Sequence, residues 1–344
     1  MTKVTNTGSR KSDHIRINLE EQVSSALTTR LEEYHFLHQA LPELDLAEVD
    51  LNTSVFGNAV NSPLFISSMT GGTEEATRIN QNLAKAAQQA GIAMGVGSQR
   101  AALEDPSLAA SFQVRRYAPD IPLFANLGAV QLNYGVGVDG CRHAIEMIEA
   151  DALILHLNAL QEALMPEGDT NFKGLLKKIE TVAREISQPI IIKEVGWGIS
   201  AQIARRLYDA GVKAFDVAGA GGTSWSQVEM HRAKTAAQAR IASQFINWGI
   251  PTADAIVQIA AELPDAVIFA SGGLRSGVDI AKSIALGADL GGMAGPFLKA
   301  AAESSQAVTD LIAETNQLIR TVMFAAGIGD LPTLKHTDKL IRSN

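Results

Sequence analysis

From Pro63 onward, short apolar runs rich in β-formers alternate with longer stretches whose apolar residues recur at three and four, and Gly, Asn, Asp or Pro separates each pair. The short runs predict eight strands: 63–69 (PLFISSM), 92–98 (IAMGVGS), 122–128 (PLFANLG), 152–158 (ALILHLN), 189–195 (PIIIKEV), 214–219 (AFDVAG), 266–271 (AVIFAS) and 289–295 (DLGGMAG). Between them, stretches such as ATRINQNLAKAAQQAG, ISAQIARRLYDAG and SGVDIAKSIALG carry one apolar stripe and end on Gly, where helices commonly stop. Successive βα units predict an α/β fold, a parallel sheet closed as a (β/α)8 TIM barrel. A doubly wound sheet would more often have fewer strands and a fingerprint loop after the first. Residues 1–62 read as an N-terminal extension with a helix around 21–39, and 297–326 as one long final helix. No interdomain linker and no repeat beyond the βα unit appears, so a single domain over 1–344 is expected. The connection from Gly221 to Pro264, after the sixth strand, is long, and long βα loops in barrels usually serve the mouth.

Composition narrows the class. With 46% hydrophobic and 19% charged residues, the chain can bury a sizeable core, one that is mostly aliphatic given only 11 Phe, 4 Tyr and 3 Trp. No apolar run is long enough to span a bilayer and the N-terminus lacks an apolar signal region, so neither a membrane nor secretion is expected. The one cysteine, Cys141, excludes an intramolecular disulfide framework and any multi-cysteine metal site, which suits a reducing cytoplasm. A formal net charge of −8 disfavours nucleic acid and anionic membranes as partners. The local exception is Arg10, Lys11, His14 and Arg16, ahead of any expected helix or strand, which could receive a small anion or simply be a solvated tail.

Chemistry in a barrel sits at the C-terminal ends of the strands, and here nearly every such end is polar or Gly-rich. Gly272, Gly273, Ala294 and Gly295 follow strands seven and eight, where backbone N–H groups and a helix N-terminus can cradle a phosphate. His156 and Asn158 share one face of strand four, with Gln161 and Glu162 in the loop beyond. Glu162 suits Mg²⁺ shared with substrate phosphates, because that ion keeps waters and takes only one or two protein carboxylates; an exposed loop carboxylate is the plainer alternative. Lys193 ends an apolar strand, where an ammonium needs an anionic or electron-rich neighbour, either a ligand or Asp216 on the adjacent strand. Cys141 starts a helical pattern rather than ending a strand, which argues against a thiolate nucleophile.

Together, Arg10-Lys11-x-x-His14, Ser68-Met69-Thr70-Gly71-Gly72, Gly97-Ser98-Gln99-Arg100, His156-Leu157-Asn158 with Gln161-Glu162, Lys193-Glu194-Val195-Gly196, Gly221-Gly222-Thr223-Ser224-Trp225, Ser271-Gly272-Gly273 and Ala294-Gly295-Pro296 closely resemble the type 2 isopentenyl-diphosphate isomerase family. The resemblance spans residues 10 to about 300. It implies a homo-oligomeric (tetrameric or octameric) enzyme that interconverts isopentenyl and dimethylallyl diphosphate, with Mg²⁺ and with FMN reduced by NADPH. Carried over by position, Ser67, Ser68, Met69, Thr70, Ser98 and Asn126 would border the flavin, Lys193 would reach it, and Thr223, Gly272, Gly273, Leu274, Ala294 and Gly295 would hold it and its phosphate. Leu274 stands where a β-branched residue is common. Arg10, Lys11, Ser98, Gln99, Arg100, His156 and Asn158 would receive the diphosphate, Gln161 would lie beside the reacting carbons and Glu162 would bind Mg²⁺.

The chemistry is consistent with these residue types. Moving a double bond in an alkene with no carbonyl to acidify it is poorly matched to ordinary side-chain acids and bases, so a cofactor is expected to carry the hard step. Two alternatives share the glycine loops. A flavin barrel oxidising 2-hydroxy acids would need a late His with a nearby Arg, and only His231 and Arg232, in the long loop, offer one. A non-catalytic flavin-binding protein would not need the convergent polar rim at 156–162.

Overall fold

A computed structural model of the chain describes residues 7–343, with side chains from residue 13 onward. Eight strands form a closed parallel barrel: β1 Leu64–Ile66, β2 Ala93–Gly95, β3 Leu123–Gly128, β4 Ala152–His156, β5 Ile190–Lys193, β6 Ala214–Asp216, β7 Val267–Ala270 and β8 Leu290–Met293. Each falls inside the run that predicts it, and the polar or glycine tails of those runs are the loops that begin at the barrel's top. Burial on both faces explains the near-continuous apolar composition: every residue of Leu64–Ile66 and Ile190–Lys193 is buried. Residues facing outward pack under the helices, and those facing inward near the strand starts form a second, separate cluster around Phe65, Phe124 and Phe269. The Phe65–Phe269 and Phe124–Phe269 pairs meet edge to face at 5.3 and 5.8 Å. A hairpin of Thr53–Val55 and Asn58–Val60 caps this cluster, contributing Val55, Val60 and Phe56.

The helices follow their signals. Glu74–Ala90 starts at Thr73, whose side chain accepts from the Ala76 N–H, carries Glu74 and Glu75 in its first turn and stops at Gly91. Its buried stripe includes Ile79 and Leu83, each contributing roughly 2 kcal/mol on burial. Among the described residues no helix is long and apolar enough to cross a membrane.

Two expectations are corrected. No α-helix forms over 21–39, which holds only a 3-10 turn at Leu31–Glu33; the helix is α1, Thr7–Glu20, so the basic cluster lies within it. Ile17 of α1 packs with Val23 and Val228, and Trp225 covers them, while the segment beyond is held by distant backbone partners. Ser24 bridges Thr223, the Ser25 and Ala26 N–H groups donate to the Gly222 and Ile246 carbonyls, and Tyr34–Phe36 pairs antiparallel with Leu340–Arg342. The expected final helix over 297–326 is two helices, Gly295–Glu303 and Ser305–Ala325. Ser304 is extended and its side chain accepts from the Ala307 N–H, so it caps a new helix instead of continuing the old one.

Candidate active site

A cavity of about 840 Å³ opens over the C-terminal ends of the strands. It is lined by Ser67, Ser68, Met69, Thr70, Ser98, Arg100, Asn126, His156, Asn158, Gln161, Glu162, Lys193, Thr223, Gly272, Gly273, Leu274, Ala294 and Gly295, with His14 and Asn18 of α1 on one side. One expected contact is displaced: Gln99 is fully buried away from the cavity, donating to the Ala144 carbonyl at 2.8 Å and accepting from the Asn126 N–H at 3.0 Å. An amide whose two ends are both taken by main chain is a brace, not a ligand contact. Arg10 and Lys11 lie outside the residues whose side chains are described.

The polar half of the cavity is built on β3 and β4, whose register sets Gly128 beside His156. A Cβ at Gly128 would stand 3.2 Å from His156 Nε2, so glycine leaves room for the ring. His156 Nδ1 meets Asn126 Oδ1 at 2.8 Å, which links the ring back to the Gln99 brace. Just past β4, α2 (Ala159–Leu164) presents Gln161 and Glu162, both buried. Asn158 Nδ2 donates to Gln161 Oε1 at 3.2 Å and to Glu162 Oε1 at 2.9 Å, while Asn158 Oδ1 is buried without a hydrogen bond. Glu162 Oε2 accepts from the Asp169 N–H at 2.7 Å. The Asp169 carboxylate receives Arg100 Nη1 at 2.5 Å and Gln131 Nε2 at 3.0 Å, and Arg100 Nε also reaches Glu104 at 2.7 Å.

Glu229, a residue to which the sequence assigned no role, is central to this network. It sits on α3 (Trp225–Arg232) in the long connection after β6, which supplies two additional helices, α3 and Ala236–Ser243. Gln161 Nε2 donates to Glu229 Oε1 at 3.2 Å, His14 Nε2 lies 3.3 Å from the same oxygen, and Arg232 Nη1 reaches Oε2 at 2.5 Å. Burial alone would push this carboxyl up, but the His14 hydrogen bond and the charges of His14 and Arg232 outweigh it and hold Glu229 below the ordinary carboxylate range. His14 also stacks edge-on against Trp225, so α1 and α3 close one wall together. The only signal in the sequence was a Glu and an Arg three apart on a helical loop.

The other half is a cradle. Gly272 and Gly273 have φ of +95° and +79°, and a Cβ at Gly272 would lie 2.1 Å from the Gly219 carbonyl oxygen. Across from them, Gly295 opens the helix Gly295–Glu303 with open space where a Cβ would be, so main-chain N–H groups can face an anion. Ser68 Oγ lines the wall, buried and without a hydrogen bond. Thr223 Oγ1 donates to Asn18 Oδ1 at 3.3 Å, and Lys193 lies on the floor with its Nζ 2.7 Å from the Glu194 carbonyl oxygen. Glu194 Oε2 in turn accepts from the N–H groups of Val195, Gly196 and Trp197, and burial pushes this carboxyl up to about 7 against those bonds and the Lys193 charge.

These features fit a phosphate-bearing cofactor beside a second anionic ligand: a glycine cradle at one end, a cation on the floor, and two lining residues, Ser68 and Asn158, whose Oγ and Oδ1 are buried without a hydrogen bond. Among the described residues no group of three or more His, Cys, Asp or Glu side chains could hold a metal. Glu162 therefore fits a metal only as a single carboxylate ligand, completed by ligand phosphates and water.

The model of the FMN-dependent dehydrogenase family matches residues 13–114 and 157–341. The chain is 55% identical over 337 residues to the isopentenyl-diphosphate delta-isomerase of Nostoc sp., covering 98% of this chain and 96% of that protein. It is 50% identical over 329 residues to the isopentenyl-diphosphate delta-isomerase of Rickettsia bellii, covering 96% of each. Among solved structures, mandelate oxidase with (S)-2-phenylpropionate has a TM-score of 0.67 at 18% identity, covering 96% of this chain and 90% of that one, a likeness of fold alone.

Proposed function

The chain belongs to the FMN-dependent dehydrogenase family and, within it, to the isopentenyl-diphosphate delta-isomerases, and on that premise we propose that it interconverts isopentenyl and dimethylallyl diphosphate with FMN, Mg²⁺ and NADPH as reductant. Reduced FMN, when bound, supplies the acid–base chemistry that the alkene demands and that amino-acid side chains supply poorly. The glycine cradle at Gly272, Gly273 and Gly295 would hold its phosphate, Ser67 to Thr70, Ser98 and Asn126 would border it, and Lys193 would supply a positive charge to it.

The chain's own groups then bind and orient the alkenyl diphosphate. His156, whose Nδ1 lies 2.8 Å from Asn126 Oδ1, and Arg100 receive diphosphate oxygens, and the Arg10-Lys11 motif implies two further cations for the same anion. Glu162 would hold Mg²⁺ as its one carboxylate ligand, with its oxygens aimed by the Asp169 N–H and Asn158 Nδ2. Gln161 lies beside the reacting carbons. An amide is too weak an acid or base to drive the step, so its work is to orient the alkene and share a proton, with its own orientation fixed by Glu229 at one end and Asn158 at the other.

The observation that carries this reading is the buried Asn158–Gln161–Glu162–Glu229 network on the rim of a phosphate-cradling cavity, since a flavin barrel without turnover would not need it. The 2-hydroxy-acid oxidase reading fails on the same rim. Arg232 is spent on Glu229 and Glu167, His231 faces Glu21 at 4.0 Å, and neither lines the cavity. A cytoplasmic homo-oligomer completes the proposal, the assembly being measurable by light scattering.

The test is anaerobic incubation of purified protein with FMN, NADPH, Mg²⁺ and isopentenyl diphosphate, omitting each in turn. Dimethylallyl diphosphate formed only with all four, without stoichiometric NADPH consumption, is the expected result. Bound flavin with no product, but turnover of a 2-hydroxy acid, would overturn it.

A further inference from the structure

Beneath the cavity lies a buried charge pair that the binding groups do not account for. Lys193 ends β5 and Asp216 ends β6 in direct register with it. Their side chains are only 10% and 2% exposed, with Lys193 Nζ 3.7 Å from Asp216 Oδ2. Ser271, directly after β7, donates its Oγ–H to Asp216 Oδ1 at 2.6 Å. Oδ2 has no hydrogen bond within 3.5 Å; the Lys193 ammonium faces it at 3.7 Å, and the Ala218 backbone N–H also acts on the carboxylate. Burial pushes the Asp216 carboxyl up, and Lys193 and Ser271 oppose that push.

Stability alone is a poor reason to keep such a pair, because its attraction rarely exceeds the desolvation it requires and apolar replacements are often as stable. The positions suggest a different purpose. Lys193 and Ser271 line the cavity and Asp216 does not. The carboxylate therefore meets a ligand only through the ammonium it faces.

We propose that Asp216 is a positioning residue: it anchors the Lys193 ammonium at the cavity floor and, through that ammonium, sets the reduction potential of bound FMN. The inference rests on the reading of the cavity as a flavin site. Reduced flavin carries more negative charge than oxidised flavin, so a cation fixed beneath it favours the reduced state. Without the Asp216 counter-charge the ammonium keeps only its bond to the Glu194 carbonyl oxygen and can swing off the floor, and the reduced state loses that support. The sign is diagnostic. Acting through Lys193, Asp216→Asn moves the potential to more negative values; acting directly on the flavin, loss of a nearby negative charge would move it to more positive ones.

The experiment measures flavin midpoint potentials by dye equilibration for holoprotein carrying Asp216→Asn, Lys193→Gln, both or neither. The expected result is a negative shift for Asp216→Asn and no further shift when it is added to Lys193→Gln. An unchanged potential, a positive shift, or a negative shift that persists in the Lys193→Gln background would overturn the proposal. A wild-type protein that takes up no FMN, visible in its absorbance before any potential is measured, refutes the flavin reading instead. Should Asp216→Asn fail to fold, Ser271→Ala removes only the bond to Oδ1. It is expected to give a smaller negative shift at full flavin occupancy, and no shift would again overturn the proposal.

Discussion

Replacing Gly272 by Ala isolates how much the phosphate cradle depends on bare backbone. Two costs arise. The first is conformational: at φ +95° an L-residue is strained by roughly 1–3 kcal/mol. The second is steric, because the new methyl would stand 2.1 Å from the Gly219 oxygen, 2.4 Å from its nitrogen and 2.8 Å from the Ala218 carbonyl carbon, all backbone atoms at the end of β6. Nothing there can rotate away, so the loop itself must shift, at a further cost of about 1–3 kcal/mol. Gly57, in the exposed turn of the bottom hairpin, provides the control. Its φ is +81° but no atom lies within 4 Å of the added Cβ, so Gly57→Ala bears the first cost alone. Urea unfolding of the two apo-variants should differ by about 2 kcal/mol, with Gly272→Ala the weaker. Fluorescence titration should show the FMN affinity of Gly272→Ala down by roughly thirtyfold or more, while that of Gly57→Ala is unchanged. Equal stabilities and wild-type FMN affinity in both would refute the claim that this loop is held at van der Waals limit against β6.

Glu162→Gln keeps an acceptor for Asn158 but loses the charge, so the Mg²⁺ concentration needed for half-maximal turnover should rise about tenfold or more with flavin still bound; unchanged metal dependence removes Glu162 as ligand. Gln99→Ala strands the Asn126 N–H and removes the second bond to the helical Ala144 carbonyl, and should lower stability by about 1–3 kcal/mol in urea unfolding and reduce kcat by loosening Asn126 beneath His156. Glu229 is held below the ordinary carboxylate range, so its contribution is complete at neutral pH and is lost as pH falls through its lowered value. The unfolding free-energy gap between wild type and Glu229→Gln should therefore shrink only in that acid window, and a gap constant down to acid would contradict it. Burial pushes the Cys141 thiol up to about 12, so iodoacetamide at pH 8 should label unfolded but not native protein, as read by mass spectrometry.

The barrel was legible because each strand is buried on both faces and so announces itself as an unbroken apolar run, and because strand ends turn polar where the cavity begins. Segment 21–39 was not, since its partners are Thr223, Gly222, Ile246 and Leu340–Arg342, all far along the chain, and no local periodicity encodes them. The helix that does form, Thr7–Glu20, owes its place to Ile15 and Ile17 meeting buried neighbours, with too few apolar positions to stand out beforehand. Ser304 could have been read: a serine three residues before Ala307 is an ordinary helix start, masked by alanines on both sides. In the site, His156, Asn158, Gln161 and Glu162 are neighbours in sequence and were found together. Gln99 was misplaced because a polar strand end says nothing about which way its side chain turns. Glu229 reaches Gln161 and Asp169 reaches Arg100 at separations of dozens of residues, beyond the reach of any local pattern.

The hairpin at 53–60 has a kinetic meaning. By packing Phe56 edge-on to Phe124 and tilted against Phe269 at 6.2 and 6.0 Å it stoppers the lower end of the barrel, so that among the described residues the cavity opens at the upper end, beside α1. Incoming alkene and outgoing isomer must share that opening and cannot pass each other within it. Product still inside blocks the next substrate outright, so dimethylallyl diphosphate should act as a competitive inhibitor of the forward reaction.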